Sequence, residues 1–306
     1  MNTSYSPSNA PEAVSDPYAF PYDPVRTRPE AEHTAAILKY QAQMDEARDQ
    51  GLLLDPEERD AIRDTYLWRL GYQDTPVLPG TKWHVHDGLR PQPKVVTPGA
   101  AGIASTAPSD AVILFDGTST DGWTGGPWKL EDGAMVINGK GAVRSKGEFG
   151  DCQLHLEWKA PTYGDAKGPG GQGRGNSGVF FFERYEVQVL DCFENQTYPD
   201  GMTAALYGQE PPMVNACRPA GEWQTYDICF RAPRFTDSGE LESPAMATVF
   251  HNGLCVHHGR AMDGATGHRA LAKYSAHGPT GRIQLQDHGN PIAFRNIWVR
   301  PLEPAQ

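Results

Sequence analysis

Beyond Asp110 the chain breaks into short apolar runs separated by Gly, Asp, Asn and Pro. They are AVILF (111–115), AMVI (134–137), QLHLEWK (153–159), SGVFFF (177–182), YEVQVL (185–190), TYDICF (225–230), ATVFHN (247–252), RIQLQ (282–286) and RNIWV (295–299). Each suits a strand and is too short for an ordinary helix, and several alternate apolar with polar residues. Strands at this density, with no helical pattern between them, pack as a β-sandwich or barrel. The 33 Gly and 26 Pro among 306 residues supply the turns of such a fold and disfavour a helical bundle. No period of about 20–50 residues repeats, which argues against a propeller or solenoid. No apolar run approaches the length of about 18 residues needed for a membrane span. A formal net charge of −11 disfavours a nucleic-acid groove, which needs clustered Lys and Arg.

The texture divides the chain into four regions. Residues 1–28, rich in Pro, Ser and Tyr and without periodicity, read as a disordered or extended arm. Residues 29–71 read as a helical hairpin. Its first helix runs from Pro29 to Gln50; the second opens with Asp55, Pro56 and Glu58 as N-cap, first helical position and capping-box partner, and Gly71 ends it. Such a hairpin builds little core alone, so it is expected to dock on the larger domain or to join subunits into a homo-oligomer. Residues 72–109 form an extended Pro-rich linker segment, and 110–303 the β domain. The N-terminus has neither a basic start nor an apolar run. The chain therefore reads as cytoplasmic, or as periplasmic or secreted if an upstream segment has been removed. Five cysteines without CxxC spacing give neither a disulfide framework nor a zinc site, and Cys229 and Cys255 read as small buried hydrophobes.

Alternation separates the two faces of each strand. Leu154, Leu156 and Trp158 turn one way, leaving His155, Glu157 and Lys159 on the other face. Tyr185, Val187 and Val189 turn inward and Glu186 and Gln188 outward; Ile283 and Leu285 turn inward and Gln284, Gln286 and His288 outward. Outward polar residues are ordinary on a two-faced antiparallel sheet. Here, however, Gln recurs beside Glu and His where Lys, Thr and Ser are usual. Amides next to carboxylates suit vicinal sugar hydroxyls, because each amide offers donors and an acceptor in one plane. Trp123, Trp128, Trp223 and Tyr207 are candidate ring platforms for a sugar, although each taken alone fits a core position more readily.

The stretches LFDGTSTDGW (114–123), GNSGVFFFERYEVQVLD (175–191), PAGEWQTYDICF (219–230), VFHNG (249–253) and GRIQLQDHGNPIAFRNIWVRPL (281–302) occur in an order that resembles the 3-keto-disaccharide hydrolase domain family. The resemblance covers about Ala111 to Leu302. It implies a mainly β, concanavalin A-like jelly-roll sandwich with a sugar cleft on its concave sheet. Ahead of it, TPVLPGTKWHVHDGLRPQP (75–93) is similar to an extension seen in some members. Arg184 and Lys159 depart from the usual pattern: Arg184 directly precedes the Tyr-Glu-Val-Gln run, and Lys159 stands where Arg is common, without its bidentate geometry.

The resemblance implies cleavage of glycosides already oxidised to a ketone at sugar C3. A base removes the acidified C2 hydrogen, the enolate expels the C1 substituent, and water addition gives net hydrolysis. His288 has a suitable unperturbed pKa, and Glu157 and Glu186 serve as base or acid if burial raises theirs. Lys159, Arg184 or a divalent metal can hold the enolate; no metal ligands are assigned. His155, Gln188, Tyr207, Trp223, Gln284 and Gln286, with Lys159 and Arg184, are the expected carbohydrate-binding set. One rival is an ordinary glycosidase with a Glu157/Glu186 dyad, whose carboxyl separation sets the stereochemistry. Another is a lectin-like module that binds glycans without cutting them. The Gly-rich run GPGGQGRGNSG (168–178) lacks the ending of a phosphate loop and reads as a loop bordering the cleft. HVHDG places His84 and His86 close together, a packed or surface pair more readily than metal ligands.

Overall fold

The computed structural model describes residues 71–302 apart from 73, 89, 101–105 and 165–169. The arm and, up to Gly71, the expected helical hairpin lie outside the described residues. The described part is mainly β, built as a sandwich of two antiparallel sheets.

The larger sheet has eight strands. In spatial order they are Leu254–Ala261, Met246–His251, Trp223–Arg231, Cys152–Lys159, Ala293–Pro301, Ala134–Val136 and Lys129–Glu131, with Val112–Phe115 also paired to Ala293–Pro301. The smaller has five, in the order Trp123–Gly125, Val143–Phe149, Gly281–Leu285, Ser177–Phe181 and Tyr185–Val189. All nine apolar runs fall on strands. Strands with weaker patterns, such as Val143–Phe149 and Leu254–Ala261, carry mostly polar or exposed residues and are fixed by their neighbours.

The core lies between the sheets, where the period-two pattern places it. Leu154, Leu156, Trp158, Tyr226, Ile228 and Phe230 of one sheet meet Val179, Phe181, Tyr185, Val187, Ile283 and Leu285 of the other. Phe181 stacks on Phe230 at 4.3 Å across the gap, and Tyr226 donates its hydroxyl to the Gln188 carbonyl at 2.7 Å. Trp123 and Trp128 are core residues, so neither serves as a sugar platform. Cys229 also departs from expectation. It lies on the outward face of its strand, exposed, while Cys152, Cys192 and Cys217 are buried.

Two irregular segments cover the edge of the five-stranded sheet. Residues 202–210 pair with the Tyr185–Val189 edge strand through Gln188 N–H to Ala205 O, Ala204 N–H to Gln188 O and Tyr207 N–H to Glu186 O. Thr266 lies against the same edge, its N–H donating to Arg184 O and its Oγ1 accepting from Glu186 N–H. These contacts satisfy an open strand edge and raise walls beside the sheet's outer face.

Candidate active site

A cavity of about 460 Å³ opens on the outer face of the five-stranded sheet. Its volume is ordinary for a small-molecule site. Phe180, Glu186, Gln188 and Gln286 reach it from the strands or their ends, because each alternates with a core residue. Gln172 and Asn176 arrive from the Gly-rich run, Tyr198 and Tyr207 from the segment along the strand edge, Thr266, Gly267 and His268 from the second wall, and His288 from beyond Gln286.

The hairpin of Ser177–Phe181 and Tyr185–Val189 fixes the centre of the site. Its register puts Phe180 opposite Glu186 and Gly178 opposite Gln188. Two residues with positive φ, Phe182 and Glu183, make the tight turn. Gly178 is required by space: a Cβ there would overlap Glu186 Oε1 and stand 2.8 Å from the Phe180 ring. Ser177 Oγ donates to Gln286 O at 2.7 Å, tying this hairpin to the end of the Gly281–Leu285 strand.

Glu186 is 3% exposed. No arginine or lysine lines the cavity among the described residues. Burial alone raises its carboxyl pKa well above the ordinary value. Around it the amides are cross-linked. Gln188 Nε2 donates to Gln172 Oε1 (3.2 Å) and to Gly201 O (3.2 Å), and Asn176 Nδ2 donates to Gln172 O at 2.8 Å. Gln188 Oε1 is buried without a partner in the protein, an acceptor suited to a ligand hydroxyl. On the opposite wall the Tyr198 and Tyr207 hydroxyls lie 3.0 Å apart, and Tyr207 Oη is 3.1 Å from His268 Nδ1. Burial pushes both phenols above their ordinary pKa, so they remain neutral hydrogen-bonding groups.

Of the residues singled out from sequence, Glu186, Gln188, Tyr207, Gln286 and His288 converge on this cavity. The others do not. Glu157, His155, Lys159 and Trp223 occupy the outward face of the eight-stranded sheet, on the far side of the core. There Glu157 accepts from Arg295 Nε and Asn296 Nδ2 (2.7 and 2.9 Å), His155 Nδ1 lies 2.8 Å from Asp227, and Trp223 carries the Arg295 guanidinium at 3.9 Å and Lys159 Nζ at 4.8 Å. A Glu157/Glu186 dyad is therefore excluded by placement, since two sheets spaced about 10 Å apart lie between the carboxyls. Arg184 sits in the hairpin turn and donates to Ser275 Oγ at 3.2 Å. Gln284 shares the outer face, paired with Phe180, but stands one alternation away from the cavity lining. Alternation labels both outward faces alike and cannot tell one sheet from the other.

Sequence reasoning did not single out Gln172, Asn176, Phe180, Tyr198, Thr266 and His268. The first two carried a signal, since the Gly-rich run was expected to border a cleft. His268 carried none, because a loop residue shows no periodicity. Among the described residues no three His, Cys, Asp or Glu side chains converge to hold a metal ion.

A family model described as a 3-keto-alpha-glucoside-1,2-lyase-like domain matches residues 110–300. A 3-keto-disaccharide hydrolase of Bacteroides thetaiotaomicron is 26% identical over 241 residues, 63% of this chain and 78% of that protein. Among solved structures the chain is similar to a provisionally assigned glycosyl hydrolase from Parabacteroides distasonis, at 41% identity and a TM-score of 0.62, over 70% of this chain and 93% of the other.

Proposed function

The chain belongs to the family of 3-keto-alpha-glucoside-1,2-lyase-like domains, and from that premise we propose that it cleaves 3-keto-glycosides in the cavity on the five-stranded sheet of a concanavalin A-like jelly roll. Glu186 is the observation that carries the reading. It is a buried carboxyl with raised pKa, on the floor of an amide-lined cavity and with no cation beside it among the lining residues. A carboxylate in that setting is a stronger base than one in water, which suits removal of a proton next to a ketone.

In this reading Glu186 takes the C2 proton and the electron pair becomes the enolate of the C3 ketone. The Tyr207 hydroxyl, half-buried and neutral beside His268, donates to the enolate oxygen. Collapse of the enolate forms the C1–C2 double bond and breaks the C1–O bond. His288, exposed at the mouth, gives a proton to the departing oxygen. Water then adds across the new double bond, its hydroxyl to C1 and its proton to C2, so the sum is hydrolysis. Gln188, Gln172 and Asn176 grip the remaining hydroxyls. Lys159 stands on the other sheet and Arg184 outside the lining, so among the lining residues the enolate oxygen meets neutral donors.

The test is product release from 3-keto-disaccharides and from their parent disaccharides, with and without chelator. Release from the keto sugars alone is the expected result. Cleavage of the parent sugars alone, or binding of both kinds of sugar with cleavage of neither, overturns it; the second outcome marks a lectin-like module.

A further inference from the structure

The matched domain begins at residue 110, yet part of the cavity wall rests on a segment that precedes it. Residues 71–88, apart from 73, fold into a small hairpin, with Val77 bridged to His84 and Tyr72 N–H donating to His86 O at 2.8 Å. Arg90 then donates to Gln209 O at 3.0 Å, and the chain runs on against Val214 and Asn215. At the tip of this docking stands His86. Its φ of 59° lies in the left-handed region, where histidine is several-fold enriched. Its ring is completely buried and packs 4.3 Å from Tyr198, 4.7 Å from Tyr207 and 5.2 Å from His268, three residues that line the cavity.

Simple packing does not call for a histidine here. An apolar residue would fill the space without the cost of burying a polar ring. His86 instead donates its backbone N–H to Asp200 Oδ2 at 2.8 Å and holds Nδ1 3.4 Å from Oδ1, both residues wholly buried. Its Nε2 is buried without a partner in the protein. The same segment grips the second wall, because Tyr72 lies edge-on to His268 at 5.7 Å and carries the Arg269 guanidinium, which pairs with Asp74 at 2.7 Å.

We infer that residues 71–88 are a working part of the active site and that His86 is a positioning residue, setting Tyr207 and His268 in the geometry they need for turnover. The inference rests on the cavity being catalytic, so one arm of its test does not read activity. The full chain is prepared with His86→Phe, which keeps a ring and removes both nitrogens. On 3-keto-disaccharides kcat falls roughly tenfold to a hundredfold while KM stays near the wild-type value, as misplacement of reacting groups requires. In ¹⁵N-histidine-labelled protein the His268 ring resonances shift, and amide exchange at 263–270 accelerates. Should His86→Phe fail to fold, His86→Asn, whose short side chain suits left-handed backbone, carries the same measurements. Unchanged kcat with unmoved His268 resonances overturns the inference, as does a rise in KM alone. A wild-type protein inactive on 3-keto sugars overturns the proposed function instead, and the resonance and exchange arm still decides the role of His86.

Discussion

Glu157 and Glu186 are almost equally hidden, at 2% and 3% exposure, yet their surroundings give them opposite chemistry. Glu157 is neutralised by Arg295 and further bonded to Asn296. Glu186 has no such partner, so desolvation acts on it unopposed. Glu186→Gln is therefore expected to lower kcat by about 10²–10⁴-fold with little change in KM, the usual range for loss of a general base. Glu157→Gln should instead lower the thermal midpoint, because Arg295 is left uncompensated, and leave kcat near wild type. Steady-state kinetics on both variants separate the two roles, and equal losses of kcat would refute the assignment. Glu186 also has a signature in stability. Its folded pKa exceeds its unfolded one, so the native state holds more protons and stability falls as pH rises from the ordinary carboxylate value to the folded value. The Gln variant should lack that decline in pH-dependent denaturation curves.

Among the elements, the hairpin of Ser177–Phe181 and Tyr185–Val189 does most to organise the site. One face of it is core, through Val179, Phe181, Tyr185, Val187 and Val189. The other face must leave a hole large enough for a carboxyl, and Gly178 makes that hole. At its N-terminal approach, buried Arg174 donates to Asp191 at 2.7 Å and to Phe193 O, which anchors the Gly-rich run that brings Gln172 and Asn176 to the cavity. Gly178→Ala is expected to displace the flexible end of Glu186 more than the backbone. Turnover should therefore drop by an order of magnitude or more, while the unfolding midpoint moves little. Kinetics beside a thermal melt check this, and a large loss of stability at full activity would sink it. The motif around NSG was legible in the sequence as a family resemblance. Its reason was not, because Gly178 and Glu186 meet across a strand pair and not along the chain.

At the scale of the whole molecule, the sandwich buries histidines that cannot charge without cost. Burial holds His251 down to about 3 and His257 to about 4, and each has one ring nitrogen without a partner. Both folded values lie below the unfolded one, so their full contribution to stability is present above about pH 6.5 and is lost as pH falls toward the folded values. Thermal midpoints measured from neutral pH downward should decline through that window, and His251→Gln should flatten the decline; parallel curves for the two proteins would rule His251 out as a cause. The sequence by itself determined nine of the strands, their buried faces and the β architecture, since alternation with period two is a local property of a strand with one face in water. It also determined that Glu186, Gln188, Gln286 and His288 face away from the core. Only the tertiary structure decided which outward face is a site. That choice depends on contacts between residues far apart in the chain: Gln172 with Gln188, Thr266 with Glu186, His86 with Asp200. Those contacts raise walls over one sheet, exclude water from Glu186 and so shift its pKa, whereas the polar face of the other sheet pairs its charges among its own strands.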